Sequence, residues 1–94
     1  MSDPLHDLRH LIDTVDERIL ILLSMRQLYV DAIAHVKAKT GQAVKDPGRE
    51  AEILSRLTEK AGEYQIDPDF VEDLFEVIFH HSVDQQHAHE LIDS

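Results

Sequence analysis

Ninety-four residues without a cysteine make one thin domain. A chain this short buries only about 60–65% of the surface its unfolded form exposes, and disulfides, thiol catalysis and cysteine–zinc sites are excluded. Nine Lys and Arg against nineteen Asp and Glu leave a net charge of −10, with no Lys or Arg from Ala61 onward, which argues against nucleic acid and anionic membranes as partners, since phosphate binding needs a basic face.

The N-terminus, Met1-Ser2-Asp3-Pro4, has neither a basic nor an apolar leader segment. The first element predicted is a helix from about Leu5 to Lys39. Leu5, Leu8, Ile12, Val15, Ile19, Leu22, Arg26, Tyr29, Ile33 and Val36 alternate in steps of 3 and 4, the seam of a coiled coil over about five heptads. The longest aliphatic run in it, Ile19 to Leu23, is far short of the roughly 20 residues of a membrane span. The expectation is a soluble, cytoplasmic domain covering 1–94. Gly41 supplies the stop.

After the loop from Gln42 to Lys45, Asp46-Pro47 reads as an N-cap followed by proline at the first helical position. The second helix is expected to run to about Gly62, with Ala51, Leu54, Leu57 and Ala61 inward. Asp67-Pro68 repeats the start signal. A third helix to about Glu90 carries Val71, Leu74, Phe75 and Ile78 on its apolar stripe. No strand pattern or repeat is visible, so the fold class is all-α.

Length constrains assembly. At about 1.5 Å per residue the first helix spans about 52 Å, whereas a compact chain of this size has a diameter near 32 Å, twice and more its radius of gyration of about 12 Å. An apolar stripe that overhangs its own domain calls for a second chain, and the antiparallel pairing of two long helices in an intertwined homodimer is the closed arrangement expected.

Several polar residues stand on faces that ought to be apolar. Arg26 sits in the seam. Lys37, 11 residues on, is turned only about 20° from it and lies roughly 16 Å along the axis, so both side chains can lean onto one small ligand. Arg9, 17 residues before Arg26, is expected on nearly the same face, but at about 25 Å it cannot share a ligand with Arg26 of its own helix. An antiparallel partner could bring a second Arg9 alongside. Ser82 and Gln86 continue the third helix's stripe, and Asp46 and Glu50 flank Arg49 at the start of the second. Singly, each has an ordinary explanation: a seam arginine as register device, Lys37 as complement to the helix dipole, Asp46 and Glu50 as N-terminal capping residues. It is their combination that points to a site.

In order along the chain stand Leu8-Arg9 with Ile12-Asp13-x-x-Asp16, Leu22-Leu23-x-x-Arg26, Val36-Lys37-x-Lys39, Val44-x-Asp46-x-x-Arg49-Glu50 and Ser82-Val83-x-x-Gln86. Together they resemble the all-helical class of chorismate mutases, over nearly the whole chain. The resemblance implies a domain-swapped dimer of three-helix subunits that rearranges chorismate to prephenate without cofactor or metal. By similarity, Arg26 and the partner subunit's Arg9 would hold the two carboxylates of the substrate, and Lys37 and Gln86 the ether oxygen. Asp46 and Glu50 would sit at the ring hydroxyl, Ser82 would help bind a carboxylate, and Arg49 would order this cluster. The chemistry agrees: a unimolecular rearrangement needs a compact conformer and donors where negative charge develops. Arginine forks suit carboxylates.

Rivals on the same fold are an isochorismate–pyruvate lyase and a mutase of 4-amino-4-deoxychorismate, with Asp46 and Glu50 favouring the hydroxylated substrate. A non-catalytic helical dimer that binds a protein partner is the rival from another class. Seven histidines are the oddity of the composition. His80, Asp84 and His87 share one helical face at a spacing that could ligate a metal, although a solvated outer face opposite Ser82 and Gln86 is the ordinary reading.

Overall fold

The computed structural model describes residues 3–93, and the side chains of 3–88 among them; Met1 and Ser2, part of the N-terminal reading above, lie outside it. Three helices follow one another: α1 (Pro4–Thr40), α2 (Pro47–Glu63) and α3 (Pro68–Asp93). Each begins with the same device, an aspartate followed by a proline at the first helical position. Asp3 accepts from the backbone N–H of Leu5, Asp46 from that of Arg49 and Asp67 from that of Asp69, each at 3.0 Å. These bonds satisfy donors that a helix start leaves without partners, while proline has no N–H to lose there.

The ends differ more. Gly41 closes α1 at φ 73°, in the left-handed region, and returns its N–H to the Lys37 carbonyl. α2, expected to run to about Gly62, ends at Glu63; beyond it Gln65 takes a positive φ of 59°, and Ile66 N–H reaches back to the Ala61 carbonyl at 2.9 Å.

The third helix is the hub, packed against both α1 and α2. The molecule is far from spherical, with extents of 61 × 28 × 15 Å and a radius of gyration of 17.3 Å. Among the described residues the buried apolar set is Val30, Ala34, Val44, Ala61, Val71 and Phe79, and no large side chain is fully sealed. Nothing in α1 before Val30 is buried. Leu5, Leu8, Ile12, Val15, Ile19 and Leu22 are all at least half exposed, and these are the overhanging residues of the seam.

Apart from Arg26, the seam is not the face that meets α3. Tyr29, Ile33 and Val36 are about half exposed or more, while Val30 and Ala34 are buried. A step of one residue turns a helix by about 100°, so α1 carries two apolar faces side by side: a narrow one with small Ala34 against α3, and the seam, open. Two further expectations are corrected by packing. Ala51 is exposed, and Ile53 joins Leu54 and Leu57 in the half-buried layer of α2. On α3, Val71 is buried as expected, but Leu74 is exposed and Phe79 is buried in addition.

By length and composition α1 could cross a membrane, a property that the short aliphatic run did not reveal. In this fold the helix sets Val30 and Ala34 into the core beside α3.

Candidate active site

A cleft of about 250 Å³ opens between the second half of α1, the α1–α2 loop with the start of α2, and the second half of α3. Seven of the eight residues singled out from the sequence line it: Arg26, Lys37, Asp46, Arg49, Glu50, Ser82 and Gln86. Three separate elements contribute them, up to 60 positions apart in the chain, yet they meet around one space. The walls between are apolar, from Val30, Ile33, Val44, Ile53, Phe79 and Val83.

Arg26 bridges α1 to α3. Its Nη1 donates to Ser82 Oγ, and the Ser82 hydroxyl donates in turn to the Ile78 carbonyl at 2.9 Å. Burial lowers the Arg26 pKa from its ordinary value, because a charged guanidinium is worse solvated there. It remains a cation throughout the physiological range. One of its five N–H donors is used by Ser82, and the others have no protein partner among the described residues.

Lys37 is half-buried and donates from Nζ to the Val44 carbonyl at 2.9 Å. That bond ties the α1–α2 loop to the helix before it, while an ammonium group keeps two more donors. Gln86, buried on α3, donates from Nε2 to the Ser82 carbonyl at 3.3 Å. Its Oε1 is buried with no hydrogen-bond partner among the described residues. An orphaned buried acceptor costs about 1–3 kcal/mol, and Gln85 Oε1 is orphaned in the same way.

The start of α2 supplies the acidic rim. Asp46 caps the helix, and Glu50, one turn on, is half-buried at the cleft. Arg49 lines the cleft as well, but its Nη1 pairs with Glu52 Oε1 at 2.8 Å rather than with either rim carboxylate. It orders Asp46 through its backbone N–H alone. The cleft is therefore polarised, with cations on the α1 wall and carboxylates on the α2 rim.

Arg9 is the residue that the fold does not bring in. It is exposed on the bare first half of α1. Its expected direction needs correcting too: 17 residues at about 100° each leave it about 100° away from Arg26, not on nearly the same face. The distance along the axis, about 25 Å, stands.

Two residues of the site region went unnoticed in the sequence. Gln85 donates from Nε2 to Asp31 Oδ1 at 2.6 Å and to the Gln27 carbonyl at 2.9 Å, clamping α3 onto α1 beside the cleft; no pattern marks it. Phe79, in contrast, was within reach. Counting back from Gln86 and Ser82 in steps of 4 and 3 gives 79, 75 and 71, a cleaner stripe than the one through Ile78. On the outer face, His80 and Asp84 pair at 3.3 Å and both are well exposed. Among the described residues no group of three side chains is arranged to hold a metal ion.

Residues 8–87, most of the chain, match the model of the type II chorismate mutase family. The chain belongs to that family. It is 28% identical over 82 residues to a chorismate mutase of Methanocaldococcus jannaschii, an alignment that covers 87% of this chain and 83% of that one. It is 31% identical over 87 residues to the bifunctional chorismate mutase/prephenate dehydratases of Enterobacter agglomerans and of Escherichia coli K12, covering 93% of this chain but 22% of theirs. The chain thus spans about a fifth of the length of those bifunctional relatives, whose dehydratase activity is not carried over by the match.

Proposed function

We propose that the protein is an isomerase that rearranges chorismate to prephenate, working as a homodimer whose two clefts are each completed by Arg9 of the other subunit. The observation that carries the reading is the convergence of Arg26, Lys37, Asp46, Glu50, Ser82 and Gln86 from three helices on one cleft, in a chain of the mutase family. No nucleophile, general base or metal is required of these residues. Arg26 binds a carboxylate through its remaining N–H groups. Lys37 and Gln86 donate to the ether oxygen, where negative charge accumulates as the carbon–oxygen bond lengthens. Asp46 and Glu50 accept from the ring hydroxyl. The enzyme's work is then to hold the chair-like conformer with its ends close and to meet the developing charge with donors already in place.

The dimer is supported by the same geometry. In fully overlapped antiparallel helices running from 4 to 40, residue 9 of one lies level with residue 35 of the other, between Arg26 and Lys37. The open seam on α1 gives such a pairing its apolar contact.

The test is to supply chorismate, follow its loss by absorbance and identify the product. Prephenate alone supports the proposal. Pyruvate with salicylate from isochorismate, and no reaction on chorismate, would transfer the protein to the lyase reading.

A further inference from the structure

We infer that Phe79 is a positioning residue for Arg26: the face of its ring holds the guanidinium in the plane from which the free N–H groups reach a carboxylate in the cleft. The inference rests on the proposed function and goes beyond it, since nothing in the comparison with relatives assigns this position a role. The Arg26 guanidinium carbon lies 6.0 Å from the centre of the Phe79 ring, over its face, within the range at which a cation is drawn to the negative face of an aromatic ring. Phe79 is itself immobilised. It is buried, at 6% exposure, and Phe75 one turn earlier abuts it with centroids 6.0 Å apart and planes inclined at 60°. The support under the guanidinium is therefore a fixed ring on the same helix as Ser82.

Two restraints of different kind then act on one side chain. Ser82 Oγ takes a single N–H of Arg26, which fixes a point but leaves the plane free to swing about it. The ring limits that swing. Arginines are commonly held by carboxylates, but a carboxylate would neutralise the charge that an anionic guest has to find. Among the described residues no carboxylate pairs with Arg26. A hydroxyl and an aromatic face hold it while leaving its charge for the ligand. Leucine or isoleucine would also give an apolar neighbour but no aromatic face, so that face is the property in question.

The experiment replaces Phe79 by phenylalanines carrying one, two and three ring fluorines, which withdraw charge from the ring face while keeping its shape, with Phe79→Leu as the end point. Steady-state turnover of chorismate is measured for each. The expected result is a graded rise in KM, reaching between about threefold and thirtyfold at Phe79→Leu, with kcat within about twofold of the parent, because the lost interaction acts on bound substrate and transition state alike. Arg26 side-chain N–H resonances supply a readout without substrate: shifted upfield by the ring in the parent, and returned to ordinary positions in Phe79→Leu. A KM that stays flat along the fluorine series in an active enzyme would overturn the role of Phe79 and leave the proposed function standing. An inactive parent enzyme with upfield-shifted Arg26 resonances would do the reverse: the proposed function would fall and the contact would stand.

Discussion

Mixing two crippled subunits is the sharpest test of a shared site. Arg9→Ala and Arg26→Ala homodimers should each be nearly inactive, since losing a charged hydrogen bond to a carboxylate costs about 1.5–3 kcal/mol or more, roughly tenfold to over a hundredfold. In a heterodimer, the subunit with intact Arg26 receives Arg9 from the other chain and its cleft is whole; the second cleft lacks both. Random reassociation makes about half of all dimers mixed, each with one good cleft of two, so about a quarter of the wild-type activity should return. The proposed dimer predicts this non-additivity, because Arg9 and Arg26 of one helix lie about 25 Å apart and Arg9 is absent from the cleft of its own chain. Two affinity tags isolate the mixed species, and the loss of chorismate is followed against the summed activity of the parents. Purified heterodimers no more active than that sum would refute the sharing of arginines between subunits.

Lys37→Ala should lower kcat by about 10²–10³ or more, as expected for a charged donor lost from a developing anion, with the helical content by circular dichroism unchanged; near-normal turnover would remove Lys37 from the chemistry. Arg26→Leu should abolish activity yet melt within a few degrees of the parent or above it. Burial lowers the folded-state pKa of this group, so its charge disfavours folding at every pH below that value. No change in stability from Arg26 is therefore expected between about pH 6 and 9, since the group stays protonated there. Gly41→Ala should cost about 1–2 kcal/mol, because φ of 73° is unfavourable to a residue with a Cβ; a thermal melt that does not move would contradict that account.

Much of this fold was legible because its punctuation is local. Asp3-Pro4, Asp46-Pro47 and Asp67-Pro68 announce three helix starts, and each cap forms as the residues suggest. The polar intruders Arg26, Ser82 and Gln86 betrayed the cleft for the opposite reason: they break a pattern that packing alone would keep apolar. What stayed hidden depends on distant partners. Periodicity reveals that α1 has a seam but not which neighbour takes it, and the face set against α3 proved to be one residue round, at Val30 and Ala34. Arg49 could not be assigned its partner either, since Glu52 and Glu50 are both within a turn and only the rotamer decides. The role of Phe79 needed a tertiary contact, the Arg26 guanidinium above its ring, which no spacing within α3 contains.

The bare first half of α1 has a consequence for how this protein is made. In the proposed homodimer that half is covered by the partner chain, because its run of half-exposed leucines and isoleucines finds no cover within its own subunit. If the proposed homodimer forms, folding and association become a single second-order process, and the free energy of the native state is defined only alongside a protomer concentration. Under that proposal, a cell that makes too little of the chain loses more than enzyme in proportion: it loses the folded form itself, and exposes a long apolar helix to proteases.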